Sequence, residues 1–232
     1  MLKGIAFDLD GTLYPNYRLN LRLIPFAARE FQLLSAFGKA RNIIRKYQSE
    51  NPDIIYEQND FYTHQAEITA KILSVQPEPL KEKIEKLMYR GWEPIFKSVK
   101  LFKGVNETLL TLHKAGYKLG LMSDFPPETK LKNLGVPDIW DAVLCSECCG
   151  ALKPHPMPFI KLAEAMSLPP ENILYVGNSL PYDVGGGAKA GMKTAWLTPW
   201  LMPWLKPSPG GKKPKPDFLF SNYRQLLKYI LQ

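Results

Sequence analysis

Short apolar runs alternate with helix-like stretches along most of this sequence. In a parallel sheet that is buried on both faces, a strand reads as a continuous apolar run. Runs of this kind occur at 5–7, 117–122, 142–145, 173–176 and 193–197, and 218–220 is a candidate edge strand. The stretches between the later runs have helical spacing, so the pattern predicts an α/β fold with a Rossmann-like parallel sheet.

The stretch after the first strand has a different pattern, because its apolar residues recur every three or four positions without a strand-like run. Breaks containing proline occur at 51–53 and 76–79. We therefore predict that residues 15–99 form an all-helical domain, inserted into a core made of residues 1–14 and 100–232. The helix-spaced positions are Leu23, Ala27, Phe31, Leu34, Phe61, Gln65, Ile68, Ile72, Leu80, Ile84 and Leu87.

Composition is that of an ordinary globular protein. The chain has 232 residues, of which 45% are hydrophobic, which is enough for a sizeable core. No run approaches the roughly 18–20 apolar residues of a membrane span, and no apolar signal core follows the first residues. The three cysteines are an odd number and do not form a disulfide framework, so we expect a reducing, cytoplasmic location. Cys145 and Cys148 have Cys-x-x-Cys spacing without a second ligand pair nearby, and we interpret them as reduced thiols rather than a zinc site.

A formal net charge of +8 favours anionic partners, which include phosphate esters and nucleic acids. Part of this charge lies in the segment 206–216, which contains four lysines among prolines and glycines. Such a segment is typical of a surface loop. It lacks the interleaved aromatic residues that stack on bases, so we do not expect a nucleic-acid partner.

Two carboxylates follow the first predicted strand. Asp8 stands where the run 5–7 ends, Asp10 follows two residues later, and Gly11 allows the chain to turn away. Ligands gather beyond the carboxyl ends of parallel strands, where such acids would project. Two carboxylates held this close repel each other unless a divalent cation lies between them or one carries a proton. The alternative is an ordinary strand followed by an Asp-Gly turn.

Two later strand ends also carry polar side chains. Ser123 and Asp124 follow the strand 117–122, where a hydroxyl beside a helix start can donate to an anionic oxygen; the alternative is that either residue only caps the helix. Lys153 directly precedes Pro154, and a lysine held there could neutralise a phosphoryl group. Asn178 and Asp183 follow the strand 173–176 and are oxygen donors for a metal ion, although the amide of Asn178 brings no charge.

The sequence Asp8-Leu9-Asp10-Gly11-Thr12-Leu13 resembles the first motif of the haloacid dehalogenase-like (HAD) superfamily. Ser123 is placed as in the second motif of that superfamily, and the segment 146–154 is similar to the third. The fourth motif usually has an acid directly after its glycine, whereas this chain has Asn178 and keeps only the second acid, Asp183. The similarity extends over essentially the whole chain, and the helical insertion resembles the cap of many HAD members.

The resemblance implies a Mg²⁺-dependent phosphomonoester hydrolase that acts on a small phosphorylated metabolite through an aspartyl-phosphate. It implies that Asp8 is the nucleophile and that Asp10 first protonates the leaving group and then activates water. The residues expected to bind phosphate are Ser123, Asp124 and Lys153. The residues expected to hold Mg²⁺ are Asp8, Asp10 through its backbone carbonyl, Asn178 and Asp183.

Three other activities fit parts of this pattern. A dehalogenase would use the same nucleophile on carbon, but it has no need of an acid at position 10 or of a metal ion. A phosphomutase would keep every one of these residues, and the sequence does not separate it from a hydrolase. A non-catalytic phosphate-binding protein would explain Asn178, but not the presence of the other site residues. The identity of the phosphate ester is left open.

Overall fold

A six-stranded parallel sheet forms the centre of the computed structural model, which describes residues 1–198 and 214–232. The strand order is β3-β2-β1-β4-β5-β6, and every neighbouring pair is parallel. The Rossmann-like α/β core predicted from the sequence is therefore confirmed. The strands are β1 (Gly4–Asp8), β2 (Lys118–Ser123), β3 (Ala142–Cys145), β4 (Ile173–Gly177), β5 (Lys193–Leu197) and β6 (Phe218–Phe220).

The central strand β1 is buried on both of its faces, because successive side chains of a strand point to opposite sides of the sheet. Ile5 and Phe7 belong to one hydrophobic cluster, whereas Ala6 packs into another with Phe159 and Tyr175. Helices on both faces cover these clusters. The strand order changes direction beside β1, so the ends of β1, β2 and β4 open into one crevice.

Among the described residues, five α-helices lie between or after the strands of the core, in stretches where the helical spacing predicted helices. Asn222 caps the last one by accepting a hydrogen bond from the backbone N–H of Gln225. The helix after β4 ends at Lys189, and Gly191 lies beyond its end with φ of +84°. The helices are α5 (Val105–Lys114), α6 (Glu128–Leu134), α7 (Pro156–Ala165), α8 (Gly185–Lys189) and α9 (Tyr223–Ile230).

Residues 16–98, between β1 and α5, form helices joined by turns and short irregular stretches, without a strand, and we call them the helical segment. The first chain break, at 51–57, contains the predicted break 51–53. The second lies at 74–76, because Pro77 and Pro79 of the predicted break 76–79 belong to the start of the next helix. The α-helices are α1 (Asn16–Arg29), α2 (Phe31–Glu50), α3 (Gln58–Leu73) and α4 (Pro77–Ile84), followed by a π-helical turn (Glu85–Arg90) and a 3₁₀ turn (Glu93–Ser98).

One break in the helical segment has no sequence signal. The positions Leu23, Ala27, Phe31 and Leu34 have the spacing of a single helix, but α1 ends before Glu30 and α2 begins after it. Glu30 has φ of −111° and ψ of 27°, while the N–H groups of Glu30 and Leu34 keep helix-type hydrogen bonds across the break. Neither glycine nor proline marks this position, so local propensity does not reveal it.

The lysine-rich segment 206–216, predicted to be a surface loop, lies outside the described residues except for its last three residues. Within 1–198 and 214–232, the helices are too short or too polar for any of them to cross a membrane.

Candidate active site

The site is built on the turn that follows β1. Asp8 is the last residue of the strand and is only 4% exposed. Gly11 has φ of +91°, a conformation that residues with a side chain rarely adopt. A Cβ atom at Gly11 would lie 2.4 Å from the Asn178 amide nitrogen and 2.6 Å from that of Asn16. The glycine therefore lets the turn pack closely against the loop after β4.

Lys153 joins two of the buried acids. Its Nζ lies 2.6 Å from Asp8 Oδ1 and 2.8 Å from Asp183 Oδ1. The Thr12 hydroxyl donates to the other oxygen of Asp8, at 2.7 Å. We call these four residues the Asp8 centre, which brings together chain segments from the ends of β1, β3 and β4.

Charge is incompletely balanced in the Asp8 centre, because one lysine serves two carboxylates. Burial raises the pKa of Asp8 to about 7, and the charges of Asp183 and Asp10 add to this effect while Lys153 opposes it. Burial acts to lower the pKa of Lys153, but Asp183 and Asp8 outweigh it and hold that pKa well above its usual range. Lys153 is therefore a permanent cation, and Asp8 is an acid held in an unfavourable environment.

Asp10 has a different set of neighbours. The Tyr14 hydroxyl donates to Asp10 Oδ1, the Ser123 hydroxyl donates to Oδ2 at 2.9 Å, and Lys130 Nζ lies 3.0 Å from Oδ2. We call Asp10, Tyr14, Ser123 and Lys130 the Asp10 centre. Burial raises the pKa of Asp10, but the charge of Lys130 and the hydrogen bonds from its neighbours outweigh burial and hold the pKa below its ordinary value.

Asn178 and Asp183 lie in the loop after β4, and both face the turn of Asp8. A Cβ atom on Gly177 would lie 2.3 Å from the Cβ of Asp183, so the glycine permits this close return of the chain. Asp183 Oδ2 accepts a hydrogen bond from the Ser179 N–H at 2.9 Å. The Thr12 hydroxyl lies 3.3 Å from Asn178 Oδ1, so this amide oxygen and Asp8 surround one hydroxyl group.

Asp124 lies beside these two centres but bonds elsewhere. Its carboxylate accepts from the Ser146 hydroxyl at 2.7 Å, forms an ion pair with Arg45 at 2.7 Å, and lies 3.3 Å from Arg41. Burial opposes ionisation of Asp124, but the charges of Lys153 and of these two arginines hold its pKa below the usual range. An anion with two guanidinium partners is a poor ligand for another anion, so the geometry favours a structural part for Asp124.

A cavity of about 450 Å³ opens onto both centres. Its floor contains Asp8, Asp10, Lys130, Lys153 and Asp183. Its wall on the side of the helical segment is formed by Asn16, Leu19, Asn20, Trp92 and Phe96. A cavity of this size accommodates a small metabolite.

A larger cavity of about 740 Å³ lies within the helical segment, but it differs in chemistry. Its charged residues include Glu30, which pairs with Lys83 at 2.9 Å and with Arg29 at 3.5 Å. These groups satisfy one another near the surface. We therefore place the candidate active site at the strand ends.

Tyr14, Lys130 and Arg45 were not among the residues predicted from the sequence. Lys130 lies on α6, where a lysine in a short polar helix looks like a surface residue, yet it is only 9% exposed. Tyr14 is fully buried. Because it directly follows the first motif, its closeness to Asp8 and Asp10 along the chain was a signal that could have identified it. Arg45 gave no signal, because the site residues that it contacts follow it by more than 70 positions.

The cysteines are distinct from this site. All three are free thiols, and Cys145 and Cys149 are buried while Cys148 is half-buried. Across the described ranges, 1–198 and 214–232, no group of three His, Cys, Asp or Glu side chains is arranged to hold a metal ion. Asn178 offers an amide oxygen, which lies outside this set of side chains.

The fold and the site define a class: a Rossmann-like α/β protein with buried acids and lysines at the carboxyl ends of its strands. The sequence model of the haloacid dehalogenase-like hydrolase family matches residues 2–191, so the chain belongs to this family. The family assignment from the sequence motifs is therefore confirmed.

Two relatives of this chain are named as phosphatases. The chain is 26% identical to the glyceraldehyde 3-phosphate phosphatase of Methanopyrus kandleri, over 99% of this chain and 97% of that protein. It is 28% identical to the phosphoglycolate phosphatase of Salmonella paratyphi A, over 77% of this chain and 74% of that protein. Among solved structures, the 2-haloacid dehalogenase of Pseudomonas syringae is similar with a TM-score of 0.65 and 21% identity, covering 100% of this chain and 99% of that one. This structural similarity demonstrates a shared fold.

Proposed function

We propose that this protein hydrolyses a small phosphomonoester through an aspartyl-phosphate on Asp8, with Mg²⁺ as cofactor. The observation that carries the proposal is the position of Lys153 Nζ between Asp8 and Asp183, with Asp10 and Ser123 beside them. A lysine between carboxylates at strand ends is suited to holding a phosphoryl group against a nucleophile. The phosphatase names of two relatives support the same activity.

In the first step, an oxygen of Asp8 attacks phosphorus in line with the ester oxygen. The bond from phosphorus to Asp8 forms as the bond to the leaving alkoxide breaks, giving an acyl phosphate and a free alcohol. Lys153 neutralises part of the charge on the equatorial phosphoryl oxygens, and the Ser123 hydroxyl donates to another of them. The Thr12 hydroxyl orients the carboxylate of Asp8 for this attack.

Asp10 handles the proton in both steps. It gives a proton to the leaving oxygen, and then removes one from the water that attacks the acyl phosphate, so the cycle restores both acids. Without substrate, Asp10 receives hydrogen bonds from Ser123 and Lys130 and is held ionised. A dianionic phosphoryl group competes for these same donors. Once Ser123 and Lys130 donate to the phosphoryl group instead, the pKa of Asp10 rises, and Asp10 can take up the proton that it delivers to the leaving oxygen.

The residues around Asp8 fit a Mg²⁺ site by their chemistry. Mg²⁺ prefers oxygen ligands, and the Thr12 hydroxyl bridges a carboxylate oxygen of Asp8 and the amide oxygen of Asn178. The side-chain oxygens of Asp8, Asn178 and Asp183, together with the backbone carbonyl of Asp10, would hold the ion. When bound, Mg²⁺ would offset the repulsion between the nucleophile and the phosphate. The neutral amide of Asn178 lowers the negative charge of the set and favours a weaker site.

We interpret the helical segment as a cap domain, residues 15–99, over the core of residues 1–14 and 100–232. Its contribution of Asn16, Leu19 and Trp92 to the cavity wall supports this division. A cap excludes water and selects the leaving group. The relatives' named substrates, glyceraldehyde 3-phosphate and phosphoglycolate, are the first two compounds to test.

The test of the activity is hydrolysis of p-nitrophenyl phosphate with and without added Mg²⁺, using the Asp8→Asn variant as the blank. We expect Mg²⁺-dependent release of p-nitrophenol by the wild-type protein and none above background by the variant. Release that persists in Asp8→Asn would contradict the assignment of the nucleophile. If neither protein acts on this ester or on the two phosphometabolites, the hydrolase proposal fails and a binding function is favoured. Isomerisation of a sugar phosphate without release of phosphate would indicate a mutase.

A further inference from the structure

Arg45, on helix α2, contacts three loops that follow strands of the sheet. Its Nη2 lies 2.7 Å from the Asp124 carboxylate, after β2. Its Nε donates to the backbone carbonyl of Lys153, after β3, at 3.0 Å. Its guanidinium carbon lies 4.6 Å from the centre of the Tyr182 ring, after β4. A single side chain of the helical segment thus touches a loop from each of the three strands.

The surroundings of Arg45 hold it in this geometry. The side chains of Arg45 and Asp124 are only 15% and 16% exposed, so their ion pair is less screened by water than a surface pair. Asp124 is fixed from the other side by the Ser146 hydroxyl and by the buried Arg41. Arg41 also forms an ion pair with the fully buried Glu147. The contact between α2 and the strand ends is therefore a charge-balanced network.

The planar guanidinium suits these contacts better than an ammonium would. It directs several N–H groups in fixed directions, and it stacks on aromatic rings. Lys153 lies between Asp8 and Asp183, so a shift of its backbone would displace Nζ from both carboxylates. Tyr182 directly precedes Asp183 in the chain. Arg45 therefore bonds directly to the backbone of Lys153. It also stacks on Tyr182, the neighbour of Asp183, whose carboxylate binds Lys153 Nζ.

We propose that Arg45 is a positioning residue: it fixes the backbone of Lys153 and the loop of Asp183 from the helical segment, so that Lys153 Nζ is aligned on Asp8. This role rests on the proposed phosphatase function. Asp124 is, on this reading, the anchor of Arg45 rather than a ligand of the phosphoryl group. The helical segment then contributes to the rate of the chemical step as well as to the shape of the cavity.

The experiment compares Arg45→Ala and Arg45→Lys with Arg22→Met. Arg22 is a matched control, because its guanidinium also bonds within the protein, to Ser98 and to the Arg18 carbonyl, without contacting the site loops. We expect Arg45→Ala to lose about 10- to 100-fold in kcat with a smaller change in KM, because a displacement of the order of 1 Å can reduce rates to this extent. Arg22→Met should have the kcat of the wild type.

Rescue separates positioning from general stability. Guanidinium chloride, at a few millimolar, should restore part of the kcat of Arg45→Ala, whereas it should leave Arg22→Met unchanged. Arg45→Lys should recover only part of the rate, because it keeps the charge without the fixed set of donors. Wild-type kcat in Arg45→Ala would overturn the proposal, as would full activity of Arg45→Lys or the absence of any guanidinium effect.

Amide hydrogen exchange provides a readout that does not depend on turnover. In Arg45→Ala, peptides covering residues 146–158 should exchange faster than in the wild type, while Arg22→Met should leave them unchanged. If the wild-type protein has no phosphatase activity, the proposed function fails, and this measurement still tests whether Arg45 holds the Lys153 loop. Unchanged exchange in Arg45→Ala would overturn that role even in an active enzyme. If Arg45→Ala does not fold, Arg45→Lys is compared with Arg22→Met in the same measurement.

Discussion

Asp8 and Asp10 are two residues apart, yet the two centres hold them in opposite electrostatic environments. In the Asp8 centre, one lysine is shared between two buried carboxylates, and the pKa of Asp8 is raised to about 7. In the Asp10 centre, one carboxylate receives a lysine and two hydroxyl donors, and its pKa is lowered. Neighbours, rather than spacing along the chain, set the behaviour of each acid.

The difference matches the two roles that we propose. An acid that lacks sufficient partners is stabilised by a bound cation, so the Asp8 centre is prepared for Mg²⁺ and for chemistry at phosphorus. Asp10 is held ionised by hydrogen-bond donors that a bound phosphate group would also attract. When these donors turn to the phosphate, the pKa of Asp10 rises, which suits a group that transfers protons. Three substitutions, used in four experiments, test this comparison.

Removal of the nucleophile should have the largest effect. Asp8→Asn replaces the attacking oxygen by an amide, so we expect kcat on p-nitrophenyl phosphate to fall by at least about 10⁴-fold. Stopped-time assays of phosphate release, with circular dichroism to verify the fold, measure this loss. The control is Asp53→Asn, which changes an exposed acid of the helical segment in the same way. A folded Asp8→Asn protein with wild-type turnover would rule out Asp8 as the nucleophile.

Removal of the proton donor Asp10 should lower the steady rate less than removal of Asp8 does. It should slow hydrolysis of the acyl phosphate rather than its formation from p-nitrophenyl phosphate. In Asp10→Asn, p-nitrophenolate leaves without needing a proton, but the water that attacks the acyl phosphate is no longer activated. We expect a burst of p-nitrophenol followed by a steady rate that is roughly 10³-fold below the wild type. Rapid-quench kinetics measures the burst. An undiminished steady rate would show that the two centres do not divide the chemistry in this way.

The raised pKa of Asp8 predicts that this acid destabilises the metal-free fold above acidic pH. The native state keeps the Asp8 proton up to about pH 7, whereas the unfolded chain releases it near pH 4, so stability falls between these values. In EDTA, Asp8→Asn should therefore gain roughly 2–4 kcal/mol over the wild type at pH 8, and much less at pH 4.5. Urea unfolding at both pH values measures the difference.

The matched control for this stability measurement is again Asp53→Asn, which makes the same replacement at an exposed acid outside the two centres. A constant difference between Asp8→Asn and the wild type would show that Asp8 titrates normally in the folded protein. That result would remove the electrostatic contrast between the two centres, whatever the kinetics of the variants.

Replacing Asn178 by the acid that is usual at this position of the fourth motif should have the smallest effect. Asn178→Asp adds a negative charge beside Asp8, so we expect the Mg²⁺ concentration for half-maximal activity to fall by about tenfold. Titration of activity with Mg²⁺ measures this change. Asn20→Asp is the matched control, because it makes the same replacement at a cavity residue of the helical segment and should leave the requirement for Mg²⁺ unchanged. An unchanged requirement in Asn178→Asp would place the ion away from residue 178.

The sequence by itself determined the sheet and most of the residues that meet at its edge. Buried parallel strands are continuous apolar runs, and right-handed crossovers bring their carboxyl ends to one side, so Asp8, Ser123 and Asp183 were predictable from their places in the chain. Lys153 was predictable from its motif. The helical content of residues 16–98 followed from spacing, but the break at Glu30 did not, because no glycine or proline marks it.

Only the tertiary structure decided which charges meet. Lys130 reaches Asp10 because α6 packs beside the turn after β1, and Arg45 reaches Asp124 and Lys153 because α2 lies over the strand ends. Asp124 precedes the first proline of its loop and looked like a phosphate ligand, yet its carboxylate is paired with arginines that lie about 80 positions earlier. The physical reason is that pairing energy depends on distance and burial, and neither is encoded in local spacing. Apolar periodicity specifies where strands end, whereas packing of the helices selects the partner of each acid.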